Sequence, residues 1–212
     1  MQGGGMEIIM KNTKEKILNT ALKLFARDGY EAVSVSMIAG ELGMTKSALY
    51  KHYKNKRNIF DSIVERMYQT DRQRSEEYNV PENEYTVEPT GYETIAPENI
   101  AQFTLAQFSF WTEDEFASSF RRMLTLEQYR NAEIAKLYCD CIVSGPVQYT
   151  ADIFREMIKR GILTDADPQA LALEFYSPLY LLINLYDHSG KSEKLKEMLK
   201  SHIEHFFQVK RT

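Results

Sequence analysis

The chain has 212 residues, 43% hydrophobic and 26% charged, with a formal net charge of −4 at pH 7. That length supports one or two domains with a sizeable core, and no apolar run reaches the length a bilayer crossing needs. Its two cysteines, Cys139 and Cys141, point to different sides of a helix, so a bridge between them is not expected. Buried thiols in a reducing, cytoplasmic compartment are the expectation.

Charge is unevenly placed along the chain. Residues 11–60 hold ten Lys or Arg against four acids, a net of +6, which leaves −10 for the remainder. A basic end on an acidic body is the electrostatic footprint of a protein that meets a polyanion with one end only.

In chain order, residues 1–12 read as a disordered leader, with a GGG run and no basic-then-apolar signal pattern. Asn12 with Glu15 forms a capping box for a first helix whose inward stripe is Ile17, Ala21, Leu24 and Phe25. Lys11 and Lys14 suit an arm lying against phosphates or in a minor groove.

From Ser34 to Lys56 the sequence is SVSMIAGELGMTKSALYKHYKNK. Ser34 caps a short helix with Val35, Ile38 and Leu42 on one face, and Ala39 is small where two helices cross. Gly43 suits a left-handed residue ending that helix, and Thr45 caps the next. Leu49 is the one large aliphatic of the second helix and faces inward, with Tyr53 packed beneath. Thr45, Lys46, Ser47, Ala48 and Tyr50 face outward. Residues 34–53 are therefore a helix-turn-helix whose second helix is small-faced enough to approach base edges. Ser34, Ser36, Thr45, Lys46, Ser47, Ala48, Tyr50, Lys51, His52 and Lys56 are the residues expected to meet DNA. Lys51, His52, Lys54, Lys56 and Arg57 place positive charge where the duplex backbone runs.

These residues also carry a family resemblance. Residues 14–60 resemble the N-terminal domain of TetR-type transcriptional regulators. The shared signatures are Ala21-Leu22-Lys23-Leu24-Phe25-Ala26-Arg27-Asp28-Gly29-Tyr30, Ile38-Ala39, and Leu49-Tyr50-Lys51-His52-Tyr53. Val33 stands where the family often has Thr, Met44 where Val is usual, and Ala48 where Thr or a larger residue is common. The resemblance implies an all-α fold of about nine helices. Residues 13–60 would be the DNA-binding domain, with three helices, and 61–212 the effector-binding and dimerisation domain. It also implies a ligand-responsive homodimeric repressor on a pseudo-palindromic operator, with no enzymatic activity, no cofactor and no membrane partner. An activator or protein-controlled adaptor is the alternative, and an enzyme with an appended DNA-binding module is a more distant one.

A fourth helix should start near Lys56 and continue through Ile59, Ile63, Met67 and as far as Tyr78. Residues 79–97, with three prolines and no Lys or Arg, read as a loop. Tyr85 and Tyr92 within it suit either a pocket cover or a plain surface excursion. A helix follows Pro97 to about Trp111, and Thr112 with Glu115 forms a second capping box for the next. Helices are expected over 132–144 and 146–160, joined or kinked at Gly145-Pro146 and ended by Gly161. Asp167 and Pro168 open a long apolar helix bent by Pro178 and ended by Gly190. The last helix spans about 192–209.

The apolar positions of these last two helices exceed one narrow face, so both need cover on more than one side. In the resembling family this pair builds the dimer interface, here assigned to Leu179, Leu182, Ile183, Tyr186, Leu199, Ile203 and Phe206. Aromatic walls suit a small apolar or aromatic effector. The candidate pocket is Met67, Phe103, Gln107, Phe110, Trp111, Phe120, Tyr138, Phe154, Phe175 and Tyr176, and the net acidity tilts expectation toward a cationic or neutral ligand. His202 and His205 share a face without a third ligand, so no metal site is assigned. No phosphate-cradling glycine loop, nucleophile elbow or metalloprotease motif occurs.

Overall fold

The computed structural model describes residues 3–81 and 95–211, with side chains from Asn12 onward. Within these residues lie ten helices: α1 (Gly3–Asp28), α2 (Val35–Glu41), α3 (Lys46–Leu49), α4 (Lys56–Glu77), α5 (Pro97–Glu113), α6 (Glu115–Glu127), α7 (Ala132–Ile142), α8 (Ser144–Lys159), α9 (Pro168–Ser189) and α10 (Ser192–Lys210). Among the described residues the one β-type pairing is an isolated bridge between Leu163 and Arg211. The expected all-α architecture is present. None of these helices is long and apolar enough to cross a membrane.

The chain divides into two compact units. The first comprises residues 1–69 and 115–135, the second 70–114 and 136–212. The boundary expected after residue 60 does not coincide with a break in packing, because α4 continues to Glu77 and α6 packs along α1.

In the first unit Ile17, Ala21 and Phe25 on α1, Ile38 on α2, Leu49 on α3, and Ile59 and Ile63 on α4 are fully buried. Phe120, Met123 and Leu124 of α6 complete this core. Lys23 reaches Glu115 at 2.7 Å, and the Arg66 guanidinium lies 4.3 Å from the Phe116 ring. Two capping expectations fail here. Asn12 and Glu15 lie inside α1, which begins at Gly3, so the helix runs through most of the expected disordered leader. Met6, Ile8, Ile9 and Met10 follow the glycines with no proline to stop a helix, and the run favours continuation. Thr112 is the penultimate residue of α5, not a cap: it is buried, and its hydroxyl donates to the Phe108 carbonyl at 2.7 Å. The break falls two residues later, at the extended Asp114.

In the second unit α9 packs against α5, α8 and α10. Its start is fixed by Asp167, whose Oδ1 accepts from the Gln169 N–H at 3.1 Å, and its end by Gly190 at φ 60°. Pro178 sits within this helix without ending it. The helices expected over 132–160 are two, separated at Val143 (φ −115°, ψ −85°), with Gly145-Pro146 already in the first turn of α8. The core is aromatic: Phe154 stacks on Phe206 with centroids 5.4 Å apart, and Phe175 meets Phe206 edge-on at 4.9 Å. Of the 79–97 loop, Val80 and Ile95 are buried anchors, whereas Tyr85 and Tyr92 lie outside the described residues.

Candidate nucleic-acid interface

The reading head is assembled by short-range bonds that the sequence specifies residue by residue. Ser34 Oγ accepts from the Met37 N–H at 3.2 Å, fixing the start of α2. Gly43 adopts φ 62°, the left-handed turn that lets α3 leave at a new angle. Thr45 Oγ1 then accepts from the Ala48 N–H at 3.1 Å. α3 is four residues long and continues as tight turns, with the His52 N–H bonded to the Leu49 carbonyl at 2.9 Å. Leu49 is fully buried and Tyr53 nearly so. Tyr53 donates to the Lys14 carbonyl at 3.3 Å, and burial pushes its hydroxyl up to about 12. The Lys14 ammonium lies 5.3 Å from the same ring, so this lysine is drawn toward the head itself.

With one face of α3 pinned, the other is free. Ser34, Ser36, Thr45, Lys46, Ser47, Tyr50 and Lys51 are exposed, while Ala48 and His52 are half-buried. Among the described residues no ion pair engages Lys46, Lys51 or Lys54; Lys46 leans over the Tyr50 ring at 5.8 Å. Three arginines of this unit are committed to internal partners. Arg57 donates to both Glu133 and Asp61, which holds the Glu133 carboxyl below its ordinary range. Arg27 pairs with Asp28, and Arg66 with Glu15.

Lys56 departs from the role expected of it. Its ammonium donates to the carbonyls of Tyr30 at 2.8 Å and Glu31 at 3.3 Å, and sits 4.3 Å from the Tyr30 ring. An ammonium held this way ties the start of α4 to the turn between α1 and α2, and it is not presented to a phosphate. In that turn Gly29 has φ 89°, and a Cβ there would overlap Oε1 of Glu127, a fully buried carboxylate with no hydrogen-bond partner among the described residues.

In the second unit, the residues assigned to a dimer interface are mostly the chain's own core. Leu179, Leu182, Ile183, Leu199, Ile203 and Phe206 are buried by neighbours within the unit, and Tyr186 is half-buried with its ring 6.3 Å from Phe108. A second apolar stripe stays uncovered instead: Leu173, Leu181 and Leu185 on α9, with Met198 and Val209 on α10. The sequence carries that signal, since on α9 Leu173, Leu181 and Leu185, spaced by eight and four residues, form a set separate from Leu179, Leu182 and Ile183.

The candidate pocket residues do not form one set either. Met67 and Phe120 belong to the core of the first unit. Phe154 and Phe175 are consumed in the aromatic cluster around Phe206. Phe103, Gln107, Phe110, Trp111, Tyr138 and Tyr176 remain in the second unit, with Phe103 5.9 Å from Tyr78 and the Arg74 guanidinium 4.2 Å from Phe110. Tyr138 and Tyr180 share a hydroxyl–hydroxyl bond of 3.0 Å. An open groove of about 500 Å³ lies between Tyr78, Leu105 and Ala106 on one side and Lys196 and Lys200 of α10 on the other, and none of the assigned pocket residues lines it. Sequence reading missed Asp71 and Arg74, although the stripe Ile59, Ile63, Met67 carried forward by one turn falls on Asp71.

Residues 17–63 match the family described as bacterial regulatory proteins, tetR family. The N-terminal module is a TetR-family domain. The TetR-type match extends to curated relatives. It is 39% identical over 56 residues to the uncharacterized HTH-type transcriptional regulator YerO of Bacillus subtilis, covering 26% of this chain and 19% of YerO. It is 38% identical over 55 residues to the HTH-type transcriptional regulator AcrR of Shigella flexneri, covering 26% of each. The matched stretch thus spans about a quarter or less of these relatives' own length. Beyond it the likeness is one of fold. SmeT, the repressor of the Stenotrophomonas maltophilia multidrug efflux pump SmeDEF, superposes over 94% of this chain and 90% of its own with a TM-score of 0.63, at 19% identity.

Proposed function

We propose that this chain is a DNA-binding transcriptional regulator, acting as a homodimeric repressor whose hold on a pseudo-palindromic operator responds to a small molecule in the second unit. The observation that carries the reading is the exposed, small-faced α3, capped at Thr45, whose Lys46 and the following Lys51 have no ion pair among the described residues, where Arg27, Arg57 and Arg66 of the unit are internally bonded. Short side chains admit the helix to base edges, and free ammonium groups replace condensed counterions along the phosphates. Ser34, Ser36, Tyr50 and His52 flank that face. Two copies joined through the uncovered stripe of α9 and α10 would place two such heads on one duplex. A ligand acts on such a protein only by binding two conformations unequally. SmeT forms a complex with triclosan, which supports a small-molecule response in a protein of this fold.

Selection from a random duplex pool followed by gel-shift titration tests the reading. A two-fold-symmetric consensus is expected. Lys51→Ala should weaken binding at every sequence and flatten the salt slope by about one, whereas Ser47 variants should change the preferred bases. Retention of no duplex over heparin, or a salt slope untouched by Lys51→Ala, defeats the assignment.

A further inference from the structure

The interior of the second unit contains a polar group that its own neighbours do not satisfy. Arg74, near the C-terminal end of α4, has its guanidinium face 4.2 Å from the Phe110 ring. Its Nε and Nη2 are buried and, among the described residues, have no hydrogen-bond partner. These two nitrogens form one side of the guanidinium, the edge that grips a carboxylate through two parallel bonds. On α5, one turn before Phe110, Gln107 Oε1 is a buried acceptor that also lacks a partner. Asp71 joins the two: it accepts a bond from Gln107 and lies close enough to Arg74 to interact with its charge. Burial raises the Asp71 carboxyl and lowers the Arg74 guanidinium, and it pushes the nearby Cys141 thiol up to about 12.

Buried polar groups in folded proteins are nearly always paired, and a two-donor edge left open calls for an explanation. Asp71 does not close the edge, since neither donor bonds to it. A lone cation does not fit two unpaired N–H groups.

We propose that the Arg74 edge forms the recognition end of the effector site, and that the effector is an apolar carboxylic acid. Its carboxylate takes both N–H groups of the Arg74 edge, and its apolar part lies along Phe110 and its neighbours. The assignment rests on reading the second unit as a ligand sensor. It replaces the cationic preference suggested by net charge, because the groups open at the point of contact are the two Arg74 donors, although Asp71, Glu77 and Asp114 also act on that guanidinium.

Calorimetric titration of the full chain with sodium benzoate and sodium octanoate, against benzamide and 1-octanol, tests this directly. At least one carboxylate should bind about tenfold more tightly than its neutral analogue, and Arg74→Lys, which keeps the charge and loses the fork, should remove that preference. Should Arg74→Lys fail to fold by circular dichroism, the wild-type preference carries the test. Neutral analogues binding as well as the acids, neither acid binding at millimolar concentration, or an unchanged preference in Arg74→Lys each overturn it. Gel-shift of the same preparations separates the two readings. Intact duplex binding with no acid preference removes only the ligand class, and absent duplex binding removes the regulator reading while leaving the calorimetry to stand.

Discussion

Helix α3 and helix α9 solve opposite problems. α3 has four residues and one buried side chain, Leu49, so its outward face is defined by elimination. α9 has 22 residues with apolar side chains on two sides, and Leu179, Leu182 and Ile183 are buried while Leu173, Leu181 and Leu185 are not. A helix with one anchor declares which side works. A helix with two apolar stripes shows only that both need cover, not which stripe the chain covers itself.

The strongest way to break this contrast is to attack the covered stripe. Phe206 is buried at 2% exposure between Phe154, Phe175 and Phe207. Phe206→Ala should cost about 3–5 kcal/mol in denaturant unfolding, because the removed ring leaves a cavity in a close-packed cluster. A loss below about 1 kcal/mol, with oligomeric state altered instead, would restore Phe206 to an interface role.

The reading head was legible in the sequence because its determinants are local. Ser34, Gly43 and Thr45 each act within four residues of themselves, and chemistry alone predicts a cap, a left-handed turn and a second cap. The bonding of Lys56 is not legible in the same way, because its partners are the carbonyls of Tyr30 and Glu31, distant in sequence and invisible to any local pattern. Arg74 escaped for a related reason. The run Asp71 to Glu77 is highly charged, and nothing within it says that α4 turns Asp71 and Arg74 inward while Arg72 and Gln73 stay in water.

The uncovered stripe sharpens the comparison from the other side. Leu181→Glu on α9 should leave monomer stability within about 0.5 kcal/mol, since the side chain is 57% exposed. It should weaken self-association by about a hundredfold, read by analytical ultracentrifugation across a dilution series. The adjacent Leu182→Glu, at a site 4% exposed, should unfold the unit instead. Equal self-association in wild type and Leu181→Glu would separate the stripe from dimerisation.

A smaller effect is expected where α6 meets the turn between α1 and α2. Gly29→Ala forces a side chain into φ 89° and against the buried Glu127 carboxylate. The loss should be about 1–3 kcal/mol. Glu127→Ala in the same chain should return part of it, because the overlap goes while the backbone strain stays. Additive losses in that double-mutant cycle would mean the carboxylate yields freely and α6 does not constrain the turn.

The smallest change tests whether α3 depends on its cap. With only four residues, α3 has too few internal bonds to persist on propensity, so the Thr45 hydroxyl is a large share of what holds its first turn. Thr45→Ala should cost about 1 kcal/mol in global unfolding, and Thr45→Ser should recover most of it. Amide exchange separates this from a general loosening. Protection at Ala48 should fall more than at Ile59 or Ile63, which sit in the core of the same unit on α4. Equal losses at all three amides would make Thr45 a contributor to the whole unit, and the free face of α3 would then owe its geometry to Leu49 alone.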